Sequence, residues 1–192
     1  SALAFGIGYG RALSENFSVG GHLKKAYQYL GNNVVPVSDS SNVVENNVAN
    51  AMAVDFGTIY ITDWHGFTFG MSVRNFSEEV EYGYDSFQLP LTFRIGGSID
   101  VLSFVPSLAE KQSLRIALEA LHPRSYPERV NLGLEYSFMN MGHLRLGYLF
   151  NYDERNLTYG AGIKLGPLKI DYALTPFGVF DSVSRISIGI AR

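Results

Sequence analysis

The last third of the chain, residues 129–192, alternates strictly between apolar residues and polar or small residues. Five successive segments repeat this pattern, and their apolar positions begin at Val130, Leu144, Leu157, Leu168 and Ile186. Because successive side chains of a β-strand point to opposite sides of the sheet, the alternation predicts strands with one apolar face. Short connections between the segments predict an antiparallel meander.

The same alternation continues through the rest of the chain and predicts six further strands. They cover approximately residues 3–10, 17–29, 49–61, 67–73, 89–100 and 114–119. Polar stretches between them predict loops, of which residues 31–47 and 77–86 are the longest. The pattern therefore predicts about eleven strands in a single domain over residues 1–192.

The apolar face of these predicted strands is large and aromatic, as Leu144, Leu146 and Tyr148 illustrate. No segment has the pattern of a helix that could cover it. A transmembrane β-barrel turns its apolar face to lipid and its polar face to a lumen. We therefore predict an all-β fold, an antiparallel transmembrane β-barrel of the outer-membrane type. The alternative is a soluble antiparallel β-sandwich or barrel that acts as a binding module, which needs an element covering those apolar residues.

The amino-acid composition excludes several classes of protein and of functional site. A net charge of −3 provides no basic surface for nucleic acid, so no nucleic-acid partner is predicted. No run approaches the roughly 18 apolar residues of a membrane helix. The mean hydropathy of +0.05 fits a barrel, because alternate residues of its strands are polar. The absence of cysteine excludes disulfides, thiol catalysis and cysteine-based metal sites.

The predicted connections alternate between short turns and longer loops, as the periplasmic turns and outer loops of outer-membrane barrels do. The last connection, residues 175–183, belongs to the longer set, which places the end of the final strand on the periplasmic side. Counting back places the start of the first strand on the outer side, so an odd number of strands is expected before Ser1. That number would also restore the even strand count of bacterial barrels.

Five segments carry a family resemblance: residues 87–96 (FQLPLTFRIG), 120–123 (ALHP), 128–136 (ERVNLGLEY), 170–178 (IDYALTPFG) and 184–189 (SRISIG). They resemble the PorV/PorQ-like outer-membrane proteins of the Bacteroidota and related phyla, within the FadL-like barrel group. The resemblance covers nearly all of the chain and matches the later part of the family's longer sequence. It implies a fourteen-stranded barrel whose N-terminal part this chain lacks. The chain departs from the family at its end, where Arg192 stands in place of a terminal aromatic residue.

The resemblance also implies a range of functions. One branch of the family serves type IX secretion, and lipid A deacylation has been attributed to that branch. The wider group takes up hydrophobic compounds. We predict a barrel that is not an enzyme and that acts in transport or in protein secretion. Its predicted location is the outer membrane of a diderm bacterium, with lipid or lipopolysaccharide and other secretion or envelope proteins as partners. A lipid-modifying outer-membrane enzyme is the further alternative.

Charged residues on the non-lipid face form the candidate site. They carry both signs and comprise Lys24, Asp55, Arg74, Arg94, Arg115, Glu119, Glu135, Arg145, Lys164, Asp171 and Arg185. Opposite charges on neighbouring strands can pair in a lumen. One interpretation is a polar passage or a site for an anionic or amphipathic ligand. The favoured interpretation is a structural network of ion pairs that fills the barrel, because buried charge requires pairing.

No catalytic residue, metal or cofactor is predicted. The G-x-G-x-G of residues 6–10 lies in a strand with no helix behind it, so it is not a dinucleotide-binding loop. His22, His65, His122 and His143 lack the spacing of metal ligands. The chain also lacks the G-x-S-x-G motif of many serine hydrolases.

Overall fold

The computed structural model describes residues 1–38, 41–82, 85–153 and 155–190. Their strands are β1 (Ala2–Ala12), β2 (Phe17–Ser38), β3 (Ser41–Ile61), β4 (Thr68–Ser77), β5 (Val80–Tyr82), β6 (Asp85–Phe87), β7 (Thr92–Asp100), β8 (Gln112–Pro123), β9 (Arg129–Phe138), β10 (Gly142–Phe150), β11 (Leu157–Leu165), β12 (Leu168–Phe177) and β13 (Phe180–Ile190). A 3₁₀ turn (Val101–Phe104) and a one-turn helix α1 (Pro106–Ala109) connect β7 to β8. No helix among the described residues has the length and apolarity needed to cross a membrane.

Eleven of these strands form one sheet in the order β1-β2-β3-β4-β7-β8-β9-β10-β11-β12-β13. The pairings are antiparallel, as in Gly8 with His22 of β1 and β2, and Arg145 with Glu135 of β10 and β9. This confirms the predicted all-β antiparallel sheet. The order leaves β1 and β13 as its two edges, so the described strands form an open sheet.

The chain divides into two compact units. Unit 1 comprises Ser1–Thr58, Ser72–Phe93 and Pro123–Ser125. Unit 2 comprises Ile59–Met71, Arg94–His122 and Tyr126–Arg192. The single domain expected over residues 1–192 stays a prediction.

The predicted short turns are formed by local hydrogen bonds. Between β1 and β2, the backbone N–H groups of Leu13 and Ser14 both donate to the Phe17 carbonyl, and the Ser14 hydroxyl oxygen accepts from the Phe17 N–H. Between β3 and β4, the Thr62 N–H donates to the carbonyl of Phe67 at 2.8 Å. A serine at the start of a turn favours this geometry because its oxygen can accept from the backbone.

The prediction of a long loop at residues 31–47 is wrong. Strand β2 continues to Ser38 and β3 begins at Ser41, so only residues 39–40 remain between them, and these lie outside the described residues. The segment is rich in asparagine and serine, which favour loops, but it also contains several valines. Valine favours extended structure, so two strands that already pair, here β2 and β3, can continue their hydrogen bonding through such a segment.

Two further predicted loops are shorter than expected. Within residues 77–86, β5 and β6 pair as a small ribbon, with Val80 opposite Phe87; Gly83 and Tyr84 lie outside the described residues. Within residues 175–183, β12 continues to Phe177 and β13 begins at Phe180. Gly178 has a φ of 50° there, a left-handed conformation that permits a tight reversal. The last connection is therefore short, which removes it from the set of long loops.

Among the described residues, neither face of the sheet carries a conventional core. The only buried apolar residues among those described are Ala49, Ala53, Val80 and Leu121, and none of the described large side chains is fully buried. The apolar face is open instead: Ile7 is 80% exposed, Leu144 61% and Ile188 71%. The described residues therefore supply no cover for the face that the alternation predicts to be apolar.

Candidate functional site

The polar face of unit 1 holds a cluster around Asp55. The Lys24 ammonium lies 2.7 Å from Asp55 Oδ1, and His22 Nδ1 lies 3.7 Å from Asp55 Oδ2. Asn75 completes the cluster, because its side-chain oxygen accepts from Lys24 Nζ at 2.7 Å and its backbone N–H donates to Asp55 Oδ1 at 2.8 Å. Lys24 and Asp55 are thus brought together, as opposite charges on this face can be.

Arg74, the neighbouring candidate, lies outside this cluster. Its side chain is exposed, and no carboxylate among the described residues lies within 4 Å of it. The next residue, Asn75, has a φ of 58°, a left-handed backbone conformation that interrupts the alternation of β4. Asparagine adopts this left-handed conformation more readily than other residues with a side chain. Asn75 was not predicted from the sequence; a lone asparagine inside an alternating strand is the signal that could have indicated it.

The polar face of unit 2 carries a longer charged row across β8, β9, β10 and β12. Arg145 lies at its centre, with its Nε 2.5 Å from Glu135 Oε2 and its Nη1 2.8 Å from Asp171 Oδ1. Lys169 extends the row, since its ammonium lies 3.2 Å from Asp171 Oδ2. Arg115 stands directly opposite Glu135 in the register of β8 and β9. One guanidinium thus joins carboxylates from two strands, β9 and β12.

The pair of Glu119 and Arg94 lies on the same face. Arg94 Nη1 is 3.6 Å from Glu119 Oε1, and the Asn131 side-chain amide donates to Glu119 Oε2 at 3.1 Å. The strands carrying Arg94 and Glu119 approach very closely, because a Cβ at Gly96 would lie 2.7 Å from the Leu118 carbonyl oxygen. A side chain at that position would push β7 and β8 apart.

Three candidate cations form no ion pair with a carboxylate of the described residues. No carboxylate of the described residues lies within 4 Å of Arg115, Lys164 or Arg185. Lys164 stands opposite Lys169, and Arg185 stands opposite Ala173. The polar face of unit 2 is therefore a partly paired surface with excess positive charge, and not a fully paired network.

A concave region of about 600 Å³ lies on this face of unit 2. Small residues from neighbouring strands form part of its lining, namely Ala117, Gly133, Gly147, Gly160 and Ala173. Arg115, Glu135, Arg145 and Asp171 stand beside it. This volume falls within the range of small-molecule sites. The arrangement can hold a small ligand with a polar or charged group, with Arg115 as a donor.

A serine and a histidine meet on the same face. The Ser137 hydroxyl and His143 Nδ1 lie 2.8 Å apart on β9 and β10. A hydrolytic site also needs an accessible hydroxyl and a group that orients the imidazole. Ser137 is only 8% exposed, and no carboxylate among the described residues lies within 4 Å of His143. The pair has the features of a structural hydrogen bond between strands.

The other histidines have separate surroundings. His65 stacks on the Phe104 ring, with their centroids 3.8 Å apart, and His122 Nδ1 lies 3.0 Å from Glu128 Oε1. Over the described ranges, no group of three or more histidine, aspartate or glutamate side chains converges as a metal site would require.

Comparison with models of known protein families and with curated proteins finds no match. The resemblance to PorV/PorQ-like proteins therefore stays a prediction from the sequence segments that carry it.

Proposed function

We propose that this chain forms the wall of an outer-membrane β-barrel and that the barrel transports small polar or amphipathic molecules. The observation that carries the proposal is the contrast between the two faces of the sheet. Large apolar side chains such as Leu144 and Ile188 are exposed on one face. Charged side chains such as Glu135 and Arg145 are partly buried and paired on the other.

The energy of the exposed face supports a lipid environment. Burying one leucine or isoleucine side chain is worth about 1.5–3 kcal/mol. A domain is stabilised by only about 5–15 kcal/mol in total. Leaving a continuous face of such side chains in water would therefore forgo more free energy than a folded domain can spare. Lipid chains cover this face without any further protein element.

The polar face supports a lumen for the same physical reason. Backbone groups inside a membrane must be hydrogen-bonded within the protein, which a closed barrel achieves; the edge strands β1 and β13 would each need a partner strand to complete it. Charged side chains in a membrane must face water or one another. The bonds of Arg145 to Glu135 and Asp171 satisfy that requirement across neighbouring strands. The concave region beside them provides space for a passing molecule.

A role in protein secretion is the second candidate, and the lengths of β2 and β3 favour it. These strands have 22 and 21 residues, which corresponds to about 70 Å of extended chain. A strand needs only about 9–11 residues to cross a bilayer. Roughly half of each strand would therefore project beyond the membrane as a two-stranded arm. Such an arm offers backbone groups and surface to another envelope protein.

Cell fractionation of the full-length protein tests the proposal, together with its mobility on gels before and after heating. A barrel requires detergent for extraction and changes its mobility when heat unfolds it. A protein that is soluble and monomeric without detergent would contradict both the transport and the secretion roles. In that case the soluble β-sandwich would become the better description, with the apolar faces packed on each other.

A further inference from the structure

Two arginines alternate with three aromatic rings at one end of unit 2, where β8 joins β9 and β10 joins β11. We call Tyr126, Arg129, Tyr152, Arg155 and Phe177 the arginine–aromatic cluster. Arg129 Cζ lies 5.0 Å from the centroid of the Tyr126 ring and 4.5 Å from that of Tyr152. Arg155 Cζ lies 4.9 Å from the Tyr152 centroid and 5.6 Å from that of Phe177. All four distances are within the range of cation–π attraction.

The connections that carry the cluster are fixed by hydrogen bonds. The Leu149 N–H donates to the Asn156 carbonyl at 2.7 Å, which closes the connection between β10 and β11. The side-chain amide of Asn151 donates to the Glu128 carbonyl at 2.8 Å, which joins this connection to the one between β8 and β9. The two arginines are therefore presented from linked segments and not from independent loops.

Neither guanidinium forms an ion pair with a carboxylate of the described residues. Among the described residues, no carboxylate lies within 4 Å of Arg129 or Arg155, and Glu128 pairs with His122 instead. The Nε of Arg129 is buried and has no hydrogen-bond partner. Two cations that share the Tyr152 ring repel each other, and an anion between or beside them relieves that repulsion. Among the described residues, the two guanidinium groups therefore have no carboxylate at ion-pair distance to balance their charge.

The charge of the polar face agrees with this deficit. Its eleven candidate charges comprise seven cations and four carboxylates, although the whole chain has a net charge of −3. Arg129 adds to the excess because it lies on the same face as Glu135, six residues further along β9. In the pairing of β8 with β9, Arg129 stands opposite Leu121 and Glu135 stands opposite Arg115. Residues four or six positions apart on paired strands share one face of the sheet. Positive charge is therefore concentrated on the polar face of an acidic chain.

We infer that the arginine–aromatic cluster is a binding site for a phosphate group. Guanidinium groups bind phosphate oxygens with paired N–H donors, and a guanidinium stacked on a ring keeps those donors free. The phosphate can belong to a solute in water or to the headgroup of a membrane lipid. The placement of the site at the mouth of a lumen rests on the proposed function, but its affinity for phosphate does not.

Calorimetric titration of the full-length protein in a neutral detergent tests the site, with inorganic phosphate as the probe at constant ionic strength. The double variant Arg129→Gln/Arg155→Gln should bind phosphate about ten- to a hundred-fold more weakly, because each charge-assisted hydrogen bond contributes substantially. Tyr152→Leu keeps the charge and should weaken binding about two- to five-fold through loss of the cation–π contacts. Arg11→Gln, a matched charge change on β1 in unit 1, should leave the affinity unchanged.

A second arm separates the two sources of phosphate. The protein is purified from membranes, and the phospholipid that remains bound to wild type and to the double variant is measured. Binding of inorganic phosphate that the double variant loses assigns the site to solutes. No binding of inorganic phosphate, but retention of an anionic phospholipid that the double variant loses, assigns it to a lipid headgroup. If wild type and double variant behave alike in both arms, the site is refuted.

The failure of this inference is distinguishable from failure of the proposed function. A protein that needs detergent and shifts on heating, but binds phosphate no better than the double variant, keeps its barrel and loses the phosphate site. The same gel assay confirms that each variant is folded before it is titrated.

Discussion

Leu146 offers the sharpest test of a lipid-facing sheet. It lies in the middle of β10, opposite Leu134 of β9 and Tyr159 of β11, and 53% of its surface is exposed. In a barrel this position is near the middle of the bilayer. Leu146→Arg should then cost about 2–4 kcal/mol of folding free energy, which is the cost of a lipid-facing arginine at the midplane. On a water-exposed face the same change should stay within about 0.5 kcal/mol.

The control must place the same charge at a similar depth on the polar face. Gly147 is the obvious neighbour, and the sequence alone predicts that Gly147→Ser is mild. A Cβ there would meet the hydroxyl of Thr158, which would have to rotate away, so Gly147 is not a clean control. Gly133 stands opposite Gly147 and has space, since the nearest atoms to a Cβ would be those of Ala117 at 3.9 Å. Gly133→Arg is therefore the matched control and should cost less than about 1 kcal/mol.

Reversible unfolding in lipid vesicles measures both changes. Trp64 is the only tryptophan of the chain, and it lies in the connection between β3 and β4, so its fluorescence reports on one defined position. The expected result is a large loss of stability for Leu146→Arg and a small one for Gly133→Arg. Equal losses for the two variants would refute a sheet with one face in lipid.

Three further predictions follow from particular contacts. Arg145→Gln should destabilise the protein by about 1–3 kcal/mol in denaturant titration, because among the described residues it leaves partly buried Glu135 without an ion-pair partner and Asp171 with Lys169 alone. Adding Glu135→Gln should recover part of that loss, and a fully additive double variant would contradict the coupling. Asn75→Val should lower the free energy of unfolding by about 1–3 kcal/mol, because a β-branched residue is strained at positive φ, whereas Asn75→Gly should lower it less. The reverse order of the two variants in the same titration would exclude backbone strain as the cause. The Glu128 backbone N–H, and then His122, lower the pKa of the Glu128 carboxyl. The stabilisation from ionised Glu128 is present above the pKa of this carboxyl in the unfolded chain, and it is lost as the pH falls through the lowered pKa of the folded state. His122→Ala should raise the folded-state pKa of Glu128 in an NMR titration. An unchanged pKa would contradict the pairing of the two side chains.

The strands were predictable because each depends on a local pattern. Alternation in segments such as those around Leu144 and Leu157 identifies a strand and its apolar face without knowledge of the rest of the chain. The bounds of β9, β10 and β11 agree closely with the predicted ones for this reason. Turns with a serine or glycine at the right place, such as Ser14, were equally visible.

The remaining features depend on the partner strand. Whether a polar segment forms a loop or extends a strand depends on the strand that pairs with it. This explains the wrong prediction of a loop over residues 31–47. Pairing of charges depends on register: the sequence places Arg115 and Arg145 on one face, but only the register and side-chain reach place Arg145 between Glu135 and Asp171. The arginine–aromatic cluster escaped prediction because its members come from separate connections.

The most direct test of the central claim uses single cysteines, since the chain contains none of its own. Spin labels at Leu144 and Leu146 on one face, and at Ala117 and Thr158 on the other, are compared in protein reconstituted into bilayers. Collision with oxygen, which concentrates in lipid, and with a polar nickel complex, which stays in water, is measured at each position. A barrel wall predicts that oxygen dominates at the two leucine positions and nickel at Ala117 and Thr158. Equal access of nickel to both faces would contradict a sheet that separates lipid from water.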